Sequence, residues 1–299
     1  MVEYLIRLLK NEFNTATLSR GYKRKTKGFG IAGPETTALE IGDEPMQFHK
    51  KFPDVTVSVG EERIVAIPQL LHDRPNTEVI ILDDAFQHRS VQAGLNILLT
   101  DFRDLYTRDI PLPAGNLRDV RASAKRAHII IVTKCKKDLT EQERGLILKE
   151  LDAKPHQNVF FTCIQYGNPY HLFTQTPSDL ISADTGVLLV CGIANPTPLK
   201  EFLATYFQSY DMLRYSDHHI FNTDDLREIK KQFEKIKTNN TIILTTEKDG
   251  VRMKKFEQEL SEFPIFVLPI QHHFLFGEAD AFNRMVFDFI LSFEKTDLT

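Results

Sequence analysis

Two short acidic clusters have the residue types that phosphoryl chemistry needs. Val79-Ile80-Ile81-Leu82 is an unbroken apolar run that ends in Asp83-Asp84 and continues as Ala85-Phe86-Gln87-His88-Arg89. A buried strand ending in carboxylates presents them at the sheet edge, where open α/β sheets bind ligands. A carboxylate there can hold Mg²⁺ and so position nucleotide phosphates. Taken alone, the run reads equally well as an acidic turn after a buried strand. The second cluster is Gly42-Asp43-Glu44-Pro45. Asp43 is either a helix N-cap with Pro45 in the first turn, or a carboxylate fixed as a general base for an acceptor hydroxyl.

Three further segments offer complementary chemistry. Arg20, Lys23, Arg24, Lys25 and Lys27 crowd around Tyr22 in a chain whose formal net charge is −4. A solvated basic loop is the ordinary reading, and a phosphorylated or membrane-surface ligand suits the same residues. Leu112-Pro113-Ala114-Gly115-Asn116-Leu117-Arg118-Asp119 reads as a turn into a helix. An Arg in a first helical turn opposes the helix dipole unless it reaches an anion, so Arg118 is either an exposed helix residue or a clamp on a transferring phosphoryl group. Tyr215-Ser216-Asp217-His218-His219 puts imidazoles beside a carboxylate, an acid/base pairing without the further ligands of a metal site. Gly192-Ile193-Ala194-Asn195-Pro196 and Thr246-Glu247-Lys248-Asp249 each follow an expected strand end. Thr133-Lys134 is a degraded relative of a GTPase base-reading segment.

The elements that must position these groups follow from hydrophobic periodicity. Strands are expected at 15–19, 55–59, 64–67, 78–82, 95–100, 128–132, 159–163, 187–191, 241–245 and 265–268. Several are apolar at consecutive positions, the pattern of parallel strands buried on both faces. The pair within 55–67 reads as a hairpin turning at Gly60-Glu61-Glu62. Helical spacing joins Val2, Leu5, Ile6 and Leu9, then Leu226, Ile229 and Phe233, and finally Phe282, Met285, Val286, Phe289, Ile290 and Phe293. The result is an α/β fold, a mostly parallel sheet covered by helices. A stretch rich in Thr, Ser, Pro, Asp and Gly at 174–186 marks a boundary between a core at 1–180 and a smaller C-terminal α/β domain at 181–299.

Composition limits the function classes. With 299 residues, 42% hydrophobic and 26% charged, the chain is an ordinary folded protein of one large or two modest domains. Its acidic balance argues against coating nucleic acid. No apolar run approaches the roughly 20 residues of a spanning helix. Glu3 and Arg7 interrupt the first apolar stretch, so no signal peptide is expected. Cys135, Cys163 and Cys191 form no close pair, which fits a reducing compartment.

Taken together, the segments resemble the tetraacyldisaccharide 4′-kinase (lipid A 4′-kinase) family of Gram-negative bacteria. The resemblance rests on Leu18-Ser19-Arg20-Gly21-Tyr22, Gly42-Asp43-Glu44-Pro45, Leu82 through Arg89, Leu112 through Arg118, Gly192 through Pro196, Asp217-His218 and Thr246 through Asp249, in the family's order along nearly the whole chain. It implies a P-loop kinase-like fold and an enzyme moving the γ-phosphoryl group of ATP to the 4′-hydroxyl of a tetraacyldisaccharide 1-phosphate. It also implies Asp43 as base with His218, and Arg118 on the phosphoryl charge. Asp83 and Asp84 would serve the Mg²⁺ and phosphates, supported by Gln87 and His88. Arg20, Tyr22 and Glu44 would meet the lipid A disaccharide precursor. The implied location is the cytoplasmic face of the inner membrane, held peripherally and without nucleic acid, the residues present being soluble by themselves. Ala85 and Asn116 depart from the family's usual Gly and Pro. The larger departure is the lack of a GxxxxGK[ST] phosphate loop. That loop precedes the family's counterpart of helix 2–13, so the chain is expected to start just beyond it, through truncation or a mis-called start. Unpaired sheet edges and little activity are the expected consequences. Two other readings fit the same residues: a non-catalytic module binding anionic lipid or nucleotide, and a different P-loop phosphotransferase or GTPase.

Overall fold

The amphipathic start of the chain forms helix α1 (Val2–Leu9), which buries Ile6 and Leu9 and directs Arg7 outward to pair with Glu3. Strand β1 (Thr15–Ser19) follows and is buried along its whole length. The computed structural model describes residues 1–177, 182, 184–207, 209–236, 238 and 240–294. The chain continues through β2 (Gly30–Ile31), α2 (Ala38–Ile41), α3 (Asp43–Lys51), β3 (Thr56–Val59), α4 (Arg63–Asp73), β4 (Val79–Leu82) and β5 (Ile97–Asp101). A 3₁₀ turn at Arg121–Arg126 leads to β6 (Ile129–Thr133), α5 (Glu141–Leu151), β7 (Asn158–Tyr166) and β8 (Tyr170–His171). The remainder is β9 (Gly186–Cys191), α6 (Thr197–Tyr206), β10 (Asp211–Arg214), α7 (Thr223–Phe233), β11 (Thr241–Thr246), α8 (Glu247–Met253), α9 (Glu257–Leu260), β12 (Ile265–Leu268), β13 (Ile270–Phe274) and α10 (Ala279–Glu294).

Three sheets result, ordered β2-β3-β1-β4, β13-β7-β6-β5 and β10-β9-β11-β12-β8. Pairing is parallel except where β2, β13 and β8 join at sheet margins. This is the expected α/β class, and β6 and β9, buried at every position, explain the consecutive apolar runs.

The expected hairpin at 55–67 is not formed. Residues 64–67 lie inside α4, and β3 pairs in parallel with β1. Parallel neighbours need crossover connections, and α4 is the crossover that carries the chain from β3 to β4. Ile64 and Val65 face outward, whereas Ala66 and Leu70 are buried. Tertiary topology therefore overrides the β-branched composition of this stretch.

Among the described residues, β4 pairs only with β1 and β5 only with β6. Their other edges border one cleft of about 1660 Å³, which is also lined by Met1 and Leu5 from the start of the chain and by Phe289 from α10. Asp83, Asp84, Gln87 and His88 lie in the same lining. Leu99 on β5 is accordingly 45% exposed, unusual for a parallel strand.

The boundary at 180/181 lies outside the described residues. The third sheet combines β9 through β12 from beyond it with β8 from before it, and β13 and α10 then return to the earlier body. Phe282 of α10 is fully buried against Phe274, Phe160 and Tyr4, with its ring 4.7 Å from that of Phe274. This aromatic cluster ties α1, β7, β13 and α10 together. Phe282→Ala is expected to destabilise the protein by about 3–5 kcal/mol, as measured by denaturant unfolding.

Candidate active site

The site is assembled around the first residue of α3. Gly42 separates α2 from α3 at φ +92°, where a Cβ would lie 3.2 Å from the Tyr22 carbonyl oxygen. Only glycine permits both that backbone conformation and that approach, so the helix start can lie against the Arg20–Tyr22 turn. Gly42 is itself the N-cap, and no side chain caps the helix. The Asp43 carboxylate is therefore free of the capping role and reaches across to α8.

There Arg252 donates to Asp43 Oδ2 from Nη2 at 2.6 Å and from Nε at 3.0 Å. His218 Nδ1 lies 3.3 Å from the same oxygen. Burial alone would raise the Asp43 carboxyl, but Arg252 and His218 together hold it below its ordinary 3.8. Arg252 is in turn fixed by fully buried Asp249, whose Oδ1 accepts from Nη1 at 3.1 Å. Asp249 Oδ2 accepts from the Gly192 amide at 2.9 Å and the Thr246 hydroxyl at 2.7 Å. A Cβ on Gly192 would meet the Ser216 carbonyl at 2.9 Å, so a bare backbone is needed here. The two segments that followed strand ends without a clear role thus support Arg252.

His218 takes a left-handed backbone, φ +60°, and its ring meets the edge of Tyr22 at 5.7 Å. His219 turns away: its Nε2 is 2.8 Å from Asp225, and its ring stacks on Tyr215 at 4.6 Å. Of the two adjacent imidazoles, only His218 contacts Asp43.

The second carboxylate centre is the end of β4. Asp83 accepts from the Ser19 hydroxyl of β1 at 3.2 Å. Its carboxyl is raised, first by burial and then by the negative charges of Glu44 and Asp84, with Ser19 opposing. Glu44, next to Asp43 in α3, thereby acts electrostatically on the strand-end Asp. Glu44 also pairs with Lys248 of α8 at 3.2 Å. Asp84 is the left-handed residue of the turn, φ +46°, and its carboxylate accepts from Arg118 at 2.8 Å. Gln87 and His88 line the cleft beside this pair. His88 is lowered by burial and by the positive charges of Arg63 and Arg20.

Arg118 does not occupy a first helical turn. Residues 111–117 fold back on themselves, with the Leu112 amide donating to the Leu117 carbonyl and Asp109 accepting from the Asn116 amide. The only helical element nearby begins at Arg121, after Arg118. This closed loop, rather than a helix dipole, directs Arg118 toward Asp84. Arg20 and Tyr22 are exposed, Tyr22 to 68%, while Arg24 of the same basic loop is spent on Glu61 at 2.6 Å. The three cysteines are buried, and burial raises the Cys135 thiol to about 12, so none is a nucleophile here.

Among the described residues, no group of three or more His, Cys, Asp and Glu side chains gathers to hold a metal ion. The Asp83 environment nevertheless fits Mg²⁺, which is commonly held by one or two carboxylates together with substrate phosphates. Its carboxylate is largely desolvated and bonded, among the described residues, to one hydroxyl. Glu44 and Asp84 add negative charge that the amino terminus offsets only in part, and a divalent cation would neutralise the excess. Sequence reasoning passed over Arg252; its signal is the i, i+3 spacing from Asp249, which sets both on one helix face.

Comparison with known proteins matches this arrangement at the level of the whole chain. The profile of the family described as tetraacyldisaccharide-1-P 4′-kinase matches residues 1–290. A tetraacyldisaccharide 4′-kinase of Phocaeicola vulgatus is 44% identical, over 96% of this chain and 81% of the relative. One of Bacteroides thetaiotaomicron is 42% identical, over 96% of this chain and 79% of the relative. The crystal structure of LpxK from Aquifex aeolicus in complex with ATP superposes with a TM-score of 0.72 at 25% identity, covering 97% of this chain and 82% of that one. The chain thus spans about four fifths of these relatives.

The Arg118–Asp84 pair is 64% and 60% exposed, so solvent screens it. Arg118→Ala is expected to change unfolding free energy by less than about 1 kcal/mol, as measured by denaturant titration.

Proposed function

Because this chain belongs to the tetraacyldisaccharide-1-P 4′-kinase family, we propose that its residues catalyse transfer of the ATP γ-phosphoryl group to the 4′-hydroxyl of a tetraacyldisaccharide 1-phosphate. The observation that carries this reading is the meeting of Asp43 with His218 and Arg252 at a helix start whose next residue, Glu44, acts on Asp83. A proton acceptor and a strand-end carboxylate suited to a metal ion thus face one region.

In this reading Asp43 takes the proton of the attacking hydroxyl as its oxygen bonds to phosphorus and ADP departs. His218 stands beside Asp43 to share that proton. Magnesium, when bound with ATP, supplies neutralisation of the phosphoryl oxygens. Asp83 and Asp84 would hold the ion and the phosphates, and Gln87 and His88 support the turn. Arg118, exposed and held only by Asp84, is free to reach a phosphoryl oxygen. Arg20, Tyr22 and Glu44 meet the sugar and phosphate of the acceptor. Exposed Tyr22, Lys23, Lys25 and Lys27 favour peripheral contact with an anionic membrane surface on the cytoplasmic face of the inner membrane. No helix among the described residues is long and apolar enough to cross a membrane. The enzyme is read as two lobes, 1–180 and 181–299, meeting at the base, with β13 and the last helix packing back on the first lobe.

None of the 299 residues forms a GxxxxGK[ST] run. The cleft between β4 and β5 has two free parallel edges and opens beside Asp83, which supports it as the place of a strand that carries such a loop. Polypeptide limited to these residues is expected to phosphorylate the lipid acceptor several powers of ten more slowly than one with a strand and phosphate loop added ahead of Met1. A radiolabel transfer assay comparing the two makes the test, and equal rates would remove the need for the loop. In the extended polypeptide, Asp43→Asn is expected to lower kcat by about 10²–10⁴-fold with ATP affinity nearly unchanged. Retained turnover would show that Asp43 serves only structure.

A further inference from the structure

We propose that Arg252 is the positioning residue of the base: it clamps one oxygen of Asp43, leaves the other to receive the acceptor proton, and biases which nitrogen of His218 carries the ring proton. The inference rests on the reading of Asp43 as base and extends it to a residue from the opposite lobe.

The two oxygens of the Asp43 carboxylate differ in their partners. Each described contact to Asp43 from Arg252 and His218 goes to Oδ2. Oδ1 takes no hydrogen bond among the described residues, and it is absent from the buried, unpartnered polar atoms. The Asp43 side chain keeps 21% of its surface exposed, so a ligand can approach it. Arg252, by contrast, is 6% exposed and has no room for another role. Its planar fork converges Nε and Nη2 on the single oxygen Oδ2 of Asp43 and spends Nη1 on Asp249, which pins that oxygen and leaves the other unclaimed.

The second part concerns His218. Arg252 Nη2 lies 3.1 Å from Nδ1, and Arg carries only donors. A hydrogen bond between them requires Nδ1 to be an acceptor, with the proton of the neutral ring on Nε2. Nε2 faces the Asp217 carboxylate at 3.8 Å. Once Nδ1 gains a proton, its partner becomes Asp43 Oδ2 at 3.3 Å instead, and the Arg252 contact is lost. Arg252 thus favours the neutral imidazole with Nδ1 as acceptor, in competition with the Nδ1–H bond to Asp43 Oδ2 that helps hold the Asp43 carboxyl down. The charged and titratable groups facing this centre are Arg252 and Asp249 from α8, Lys248 through Glu44, Asp217 and His218 from the loop before α7, and Tyr22 from the basic loop.

The test reads Asp43 and His218 directly. Carbon NMR of the 299-residue chain follows the Asp43 carboxyl, and long-range nitrogen correlation spectra report the His218 tautomer. Arg252→Gln removes a counter-charge, so Asp43 is expected to titrate at higher pH, and the His218 ring to lose its preference for the Nε2–H tautomer. Asp249 would then be left buried without its partner. The double variant Arg252→Gln/Asp249→Asn removes both charges and guards against misfolding. In a polypeptide competent for turnover, either variant is expected to lower kcat about a hundredfold and move the acid limb of kcat upward in pH, with KM for ATP little changed. Arg252→Lys keeps the charge without the fork, so it should return the limb to its original position and recover only part of kcat. If both Asp43 titration and the acid limb match the parent in the Gln variants while Asp43→Asn is inactive, the role assigned to Arg252 fails and the base reading stands. If Asp43→Asn retains full turnover, the base reading fails and takes this proposal with it.

Discussion

The architecture depends on a charged seam between α3 and α8. Along α3, Asp43 meets Arg252, Glu44 meets Lys248, and Gln47 and Lys51 reach Glu247. Lys51 and Gln47 also contact Glu3 of α1, so the seam continues into the first helix. Glu247, Asp249 and Arg252 are buried at 5%, 0% and 8% exposure. Charges at that depth are tolerated only when paired and hydrogen-bonded, since removing either partner leaves the other desolvated. The seam therefore fixes register: the helices cannot slide without stranding a charge. It joins residues some two hundred positions apart and in doing so creates the Asp43 centre.

The two carboxylates of the site are tuned in opposite directions by this arrangement. Asp43 lies where α8 supplies a guanidinium, and its carboxyl is held below the ordinary value despite burial. Asp83 lies at a buried strand end with acidic neighbours and one hydroxyl, and its carboxyl is raised. A carboxylate kept ionised by protein cations is a weaker base that can still accept a hydroxyl hydrogen bond, and an adjoining imidazole can share the proton. An uncompensated carboxylate is suited to a cation that arrives with phosphates. Glu44 links the two, pairing with Lys248 on one side and acting on Asp83 on the other. Chemistry at one centre is thus sensitive to charge at the other.

Much of the fold was legible because buried parallel strands write themselves as apolar runs, and β6, β9, β11 and β12 follow that rule. Residues 64–67 failed for the same reason in reverse: a crossover helix packed on a sheet shares the β-branched composition of a strand. The margins β2, β8, β10 and β13 were not legible, being short or polar and paired on one side only. At the site, Asp43 and Asp83 stood out as candidates from local spacing, whereas His218 was preferred to His219 only through the family resemblance. Arg252 did not stand out, because its partners Asp43 and His218 are distant in the chain. Arg118 was assigned the right neighbourhood for the wrong local reason, since the loop at 111–117 closes on itself instead of starting a helix.

The sequence by itself determined the α/β class, the order of the chemical segments and the carboxylates at two element starts and ends. Those features are set by periodicity and residue type over a few neighbours. Only the tertiary structure decided that Asp43 is not a cap, that His218 rather than His219 faces it, and that α8 provides the cation between them. Those decisions depend on where helices from distant parts of the chain come to rest. Burial then turned these meetings into chemistry, because a charge excluded from water is defined by the groups that replace the water.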